Sequence, residues 1–173
     1  MKKCWMILCL ALLLTGCNAE PTFETLGNVS AEPASSPAQQ ILLDLPENTQ
    51  VPALQSDDSG KIYFCDGITV CVDTLAAGDL DRTLKETTGY GKESLQLFQS
   101  YVPEGKCYSC AWTSTGEGQM QVCRARIIDD GSFHYVMTVT VPETQAGQLQ
   151  DQVQTIMDSF RVVDADAVLN TGS

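Results

Sequence analysis

Histidine, basic residues and aromatics are all scarce in this chain. One histidine, His134, stands among 173 residues. That excludes a metal site built on several histidines and any catalytic pair of them. Lys and Arg total 10 against 22 Asp and Glu, a formal net charge of -12. Phosphate backbones are held by clustered Lys and Arg, so nucleic acid is excluded as a partner. No glycine-rich phosphate loop, nucleophile elbow or His-Glu zinc helix occurs. The apolar run Trp5–Leu14 falls far short of the roughly 20 residues that cross a bilayer. No cofactor or metal is expected from this inventory.

What is present begins with an address. Lys2 and Lys3 precede the run Trp5–Leu14, the charged and apolar regions of a secretory signal. Leu14-Thr15-Gly16-Cys17 then resembles a bacterial lipobox, in which small residues precede a cysteine. The resemblance implies cleavage before Cys17 and a diacylglyceryl group on its thiol. Residues 1–16 are thus expected to be a lipoprotein signal peptide. The mature chain is expected at the cell membrane, lipid-anchored at Cys17 and facing outside the cytoplasm. Two or three acyl chains hold stably where one does not, each buried methylene contributing about 0.8 kcal/mol. Losing Lys2 and Lys3 takes the net charge from -12 to -14.

Residues 17–60 read as the lipidated Cys and a disordered, acidic, Pro-rich tether. They hold five of the seven prolines and no Lys or Arg. Such a segment buries too little apolar surface to offset its chain entropy. Ile41-Leu42-Leu43-Asp44-Leu45 departs from this pattern. It either docks on the domain as a short strand or turn, or remains an isolated apolar spot. Residues 61–163 form the domain and 164–173 a C-terminal tail.

Within the domain, Lys61–Cys65 and Ile68–Thr74 read as strands joined at Asp66-Gly67, a two-residue hairpin signal. Asp79 and Gly89 bracket a short helix as N-cap and C-terminal stop. Ser94–Tyr101, Lys106–Thr113, Gln119–Asp129 and Ser132–Val141 read as further strands. In the last, Phe133, Tyr135, Met137, Val139 and Val141 alternate with period two. Ala146, Leu149, Val153, Ile156, Met157 and Phe160 space out one helical stripe, which predicts a helix over Pro142–Ser159. Phe160–Val163 is a closing strand. The fold class is α+β, an antiparallel sheet flanked by helices.

The strings Asp79-Leu80-Asp81, Thr87-Thr88-Gly89-Tyr90, Arg124-Ala125-Arg126-Ile127-Ile128-Asp129-Asp130-Gly131, Pro142-Glu143 and Ser159-Phe160-Arg161 resemble, in their order, the PsbP-like α/β/α sandwich. That superfamily holds photosystem II extrinsic subunits, a nuclear Ran-binding protein and bacterial lipoproteins of unknown function. The resemblance spans residues 61–163. It implies protein binding and supplies no shared catalytic motif.

Five cysteines remain outside the signal and the lipobox: Cys65, Cys71, Cys107, Cys110 and Cys123. Outside the cytoplasm disulfides are expected. A turn centred on Gly116-Glu117 places Cys110 directly opposite Cys123, so this pair is the expected disulfide. Cys65 and Cys71 are not opposed but are expected to share a face, and Cys107 could reach either from a neighbouring strand. Cys107-Tyr108-Ser109-Cys110 matches C-x-x-C. Redox chemistry wants a helix N-terminus, zinc wants both thiolates on one side, and a strand turns residues three apart to opposite faces.

His134 alternates with Phe133 and Tyr135, on the opposite face, as a surface or satisfied side chain. Asp129-Asp130-Gly131 and Asp57-Asp58 are too sparse for a calcium loop. Arg124 and Arg126 share one face of a strand in an acidic domain. They either pair with acids such as Glu143 or Asp129, or mark a patch for an anionic ligand or partner. The expectation is a non-catalytic binding or scaffold domain for a protein or envelope component. The alternative is a thiol-redox or other small enzyme using Cys107 and Cys110.

Overall fold

The computed structural model describes residues 37–50, 60–116 and 118–164. Cys17, Asp57-Asp58 and the tail beyond residue 164 lie outside the described residues. In chain order the elements are β1 (Gln40–Leu42), β2 (Lys61–Cys65), β3 (Ile68–Ala76), α1 (Leu80–Thr88), β4 (Phe98–Val102), β5 (Gly105–Gly116), β6 (Gln119–Asp129), β7 (Phe133–Pro142), α2 (Gln150–Ser159) and β8 (Arg161–Val163). Strands β2 to β7 form one antiparallel sheet in the order β2-β3-β7-β6-β5-β4, and β1 pairs with β8 separately.

Local chemistry explains most of the boundaries. The Asp79 carboxylate accepts from the Asp81 N–H at 3.0 Å and caps α1. Gly89 takes a left-handed φ of 80° and donates to the Lys85 carbonyl, which closes the helix. At the β2–β3 turn Asp66 and Gly67 both adopt positive φ, the type I′ geometry that suits the strand twist. Helix α2 is shorter than its apolar stripe. Pro142 stays in β7, Glu143–Gln145 form a 3-10 turn, and the α-helix starts at Gln150. Gly147, a poor helix former, lies in the interruption. Ala146 and Leu149 still pack on the core from there.

Alternation along the strands sorts the core into two clusters. Tyr135, Met137 and Val139 of β7 and Ile128 of β6 pack with Val153, Ile156 and Met157 of α2. The intervening Val136 and Ile127 pack with Leu84 of α1, Tyr108, Cys110 and Ala125. Each helix therefore covers a different side of the sheet. A fully buried aliphatic side chain contributes about 1.5–3 kcal/mol, and Leu84 and Val70 are wholly inaccessible.

Packing also starts earlier than Lys61. Ile41 pairs with Val162, and Ile41, Leu43 and Leu45 lie against the α2-side core. Of the two readings open for this segment, the docked one holds. Partial burial of three apolar side chains offsets the chain entropy that ordering the segment costs. Further along, Gln50 makes a two-bond bridge to Phe64 on the outer side of β2, at 2.8 and 3.1 Å.

Candidate functional site

Strand β6 sends Arg124 and Arg126 to the α2 side, two residues apart, as its alternation requires. Their roles diverge. Arg126 donates from Nη1 to the Met157 carbonyl at 2.8 Å and from Nε to Cys107 Sγ at 3.2 Å. Asp158 lies 3.8 Å from the same guanidinium. Arg126 thus satisfies a carbonyl in the last turn of α2, where a cation also suits the helix dipole. The acid beside it is Asp158 rather than Glu143 or Asp129. Arg124 makes no hydrogen bond or ion pair among the described residues and is half-buried.

Both arginines line a groove of about 510 Å³, with Phe98, Ser109, Ala111 and Met157 among its other walls. Phe98 is 62% exposed, and Tyr101 on the same edge strand is 76% exposed. The backbone frames this groove on one side. β4 pairs with β5 only from Gly105 to Ser109, although β5 runs on to Gly116. Among the described residues no strand lies along the outer edge of Ala111–Gly116. Ala111, Thr113 and Thr115 are exposed there.

The cysteines do not form the expected set. Cys110 stands opposite Ala125, and Cys123 opposite Trp112. The β5–β6 turn is shifted by one residue, because Gly118, not Gly116, takes the left-handed φ of 77°. All five thiols are free. Cys65 pairs with Ile68 and Cys71 with Ile62. Ile62 is three residues from Cys65, so Cys65 and Cys71 lie on opposite faces rather than sharing one. β7 and β6 separate β3 from β5, so Cys107 neighbours neither cysteine.

Cys107 joins the α2-side cluster and Cys110 the α1-side cluster. The sheet itself separates the two sulfurs, so the C-x-x-C spacing builds neither a redox pair nor a two-thiolate metal clamp. Burial pushes the Cys110, Cys71 and Cys65 thiols up, away from the thiolate that reacts. Among the described residues no group of three or more His, Cys, Asp or Glu could hold a metal ion.

His134 is buried behind α1, on the side opposite Phe133 and Tyr135, with Nδ1 2.7 Å from Thr83 Oγ1. Burial lowers its pKa, against the nearby Asp129 and Asp130. It is a neutral, satisfied core histidine. Asp130 is consumed by its own turn. Oδ1 accepts from the Ser132 and Phe133 N–H groups, and Oδ2 from the Tyr135 hydroxyl at 2.9 Å. Asp129 Oδ1 accepts from the Gly131 N–H. The Asp-Gly string is a turn lock, not a calcium loop.

Two features of the site leave little trace in the sequence. The Tyr135 hydroxyl also accepts from the Gln39 N–H at 2.8 Å, which clips the start of β1. Burial pushes this phenol up to about 12. The second is the unpartnered stretch of β5 with exposed Phe98. The sequence hides it, because Ser94–Tyr101 and Lys106–Thr113 read as strands of equal length, whereas β4 holds five residues and β5 twelve. A second recess, of about 650 Å³, lies between the arm (Ile41, Leu43, Leu45) and Tyr63, Val72 and Phe133.

No protein-family model and no curated protein matches the chain. Among solved structures, the cyanobacterial PsbP of Synechocystis is 11% identical with a TM-score of 0.52, covering 79% of this chain and all of its own. The Ran-binding protein Mog1p of Saccharomyces cerevisiae is 17% identical with a TM-score of 0.49, covering 73% of this chain and 92% of its own. LpqN of Mycobacterium tuberculosis, involved in cell envelope biogenesis, is 11% identical with a TM-score of 0.45, covering 73% and 84%. The likeness to the cyanobacterial protein shows a shared PsbP-like α+β fold. At this identity it shows the fold alone.

Proposed function

We propose that this chain is an extracytoplasmic lipoprotein, anchored at Cys17, whose domain is a non-catalytic binding or scaffold module for a protein or envelope component. Its domain is read as the α/β/α sandwich of the PsbP-like fold. One observation carries the binding reading. The side chains capable of chemistry are dispersed into the two cores and satisfied singly, while large apolar side chains stay exposed on both edge strands of the sheet. His134 is held by Thr83, Cys107 and Cys110 face apart, and Arg126 holds α2. Phe64, Phe98 and Tyr101 stay exposed, and exposed apolar groups beside polar rims mark interaction surfaces.

The anchoring part rests on the lipobox string and is tested in the producing cell with an alkyne-bearing fatty acid. The full chain is expected to take the label and fractionate with membranes. Cys17→Ser is expected to lose both. An unlabelled chain in the cytosol would remove the reading. The binding part is tested by pull-down from the cell's envelope fraction, where failure to retain any envelope component would count against it.

A further inference from the structure

The open outer edge of β5 lies beside Arg124, which has no ion pair among the described residues. A sheet edge presents unpaired N–H and C=O groups to any extended chain that approaches it. Here the opening runs along Ala111–Gly116, because β4 stops at the level of Ser109. Side chains of an added strand alternate between the two sides of the sheet. One row would lie over the groove that holds Arg124 and Arg126, and the other beside Trp112.

The charges select the occupant. The chain has a net charge of -12, so its overall field repels acidic partners. Yet among the described residues this groove presents Arg124 with no ion pair, next to Arg126, whose acid neighbour Asp158, itself on the groove wall, stands 3.8 Å away. Half-buried cations in a groove favour carboxylates, which arginine can grip through two parallel bonds. A basic segment would meet these cations and gain nothing. Two-fold edge pairing of a second copy would bring Arg124 toward its own equivalent.

We propose that Ala111–Thr115 is a strand-addition site for an extended, acidic segment of a partner protein, read by Arg124 with Phe98 at the groove wall. This rests on the binding reading above and names where and what the domain binds. Backbone pairing supplies affinity, and carboxylates at alternate positions of the segment supply specificity.

The test is an NMR titration of the full chain with two octapeptides, one alternating valine with glutamate and one alternating valine with lysine. The glutamate peptide is expected to bind at least tenfold more tightly and to shift the amides of Ala111–Thr115. In Arg124→Glu the preference is expected to reverse toward the lysine peptide, which a merely unfolded variant would not do. Equal binding of both peptides, shifts confined to other residues, or an unchanged preference in Arg124→Glu would overturn the proposal. So would concentration-dependent shifts of the same amides without peptide, which mean self-pairing.

Photo-crosslinkers at Thr113 and at Tyr63 in the producing cell separate this proposal from the reading beneath it. Crosslinking at Thr113 that Arg124→Glu abolishes supports the site. Crosslinking at Tyr63 alone removes the site and leaves the binding function. Crosslinking at neither removes both.

Discussion

The two outer edges of the main sheet are built alike and treated differently. Each ends in a five-residue strand that covers only part of a longer neighbour: β2 against β3, and β4 against β5. On the β2 side the chain returns to its own edge. Gln50 bridges Phe64, and the arm through Ile41, Leu43 and Leu45 lies across a recess from Tyr63 and Val72. On the β4 side no described segment returns, and Phe98 and Tyr101 stay exposed. Unprotected edges invite pairing with other chains. An edge closed by the protein's own chain serves stability, and an edge left open beside two arginines is free to serve recognition.

The largest effect on this contrast is expected from Phe160→Ala. Phe160 is 3% exposed and immediately precedes β8. Its loss should cost about 3–5 kcal/mol by urea unfolding. In amide exchange, β1 should lose protection before β5 does. Equal loosening of both would blur the distinction between the edges.

Next comes Tyr135→Phe. It removes the acceptor of the Gln39 N–H and the donor to Asp130, at a cost of about 1–3 kcal/mol. The phenol also gives this link a pH dependence. Its folded pKa of about 12 lies above the ordinary 10.0, so the folded state holds the proton more tightly. That contribution is complete below pH 10 and is lost as pH rises toward 12. A stability profile over this range should fall less steeply in Tyr135→Phe. An unchanged slope would show that the clip is not the titrating element.

His134 provides a control remote from both edges. Its folded pKa lies below 6.5 because of burial, so its contribution is present above that value and is lost as pH falls through the folded pKa. Acid unfolding curves should be flatter in His134→Gln, with no selective change in β1 exchange.

The smallest effect, that of Arg124→Gln, is read against Arg126→Met. Arg126→Met removes the bond to the Met157 carbonyl and should cost about 1.5–3 kcal/mol. Arg124→Gln, with no partner to lose among the described residues, should stay within about 0.5 kcal/mol. Matching losses in the two unfolding curves would mean that Arg124 is structural, and the groove would lose its reader.

Local patterns carried much of the fold. Phe133–Val141 alternates over its whole length because one face meets α2 and the other α1, and Asp79 and Gly89 bracket α1 through short-range bonds. Asp66-Gly67 fixed its register because the turn and both strands are contiguous. The β5–β6 register slipped because two glycines flank Glu117 and only one takes the left-handed conformation. That one-residue shift is what parted Cys110 from Cys123. The β1–β8 pairing joins residues more than a hundred positions apart, and nothing local announces it. The shared face of Arg124 and Arg126 was legible. The carbonyl that claims Arg126 was not, because a backbone acceptor leaves no mark on sequence spacing.

Site-resolved amide exchange on the full-length protein, free of partners, reads both edges in one experiment. Slow exchange is expected for the paired amides of β1 and for Phe64. Fast exchange is expected for every second amide of Ala111–Thr115, those facing outward from β5. Uniform protection along Ala111–Thr115, with β1 exchanging freely, would contradict the contrast between the two edges.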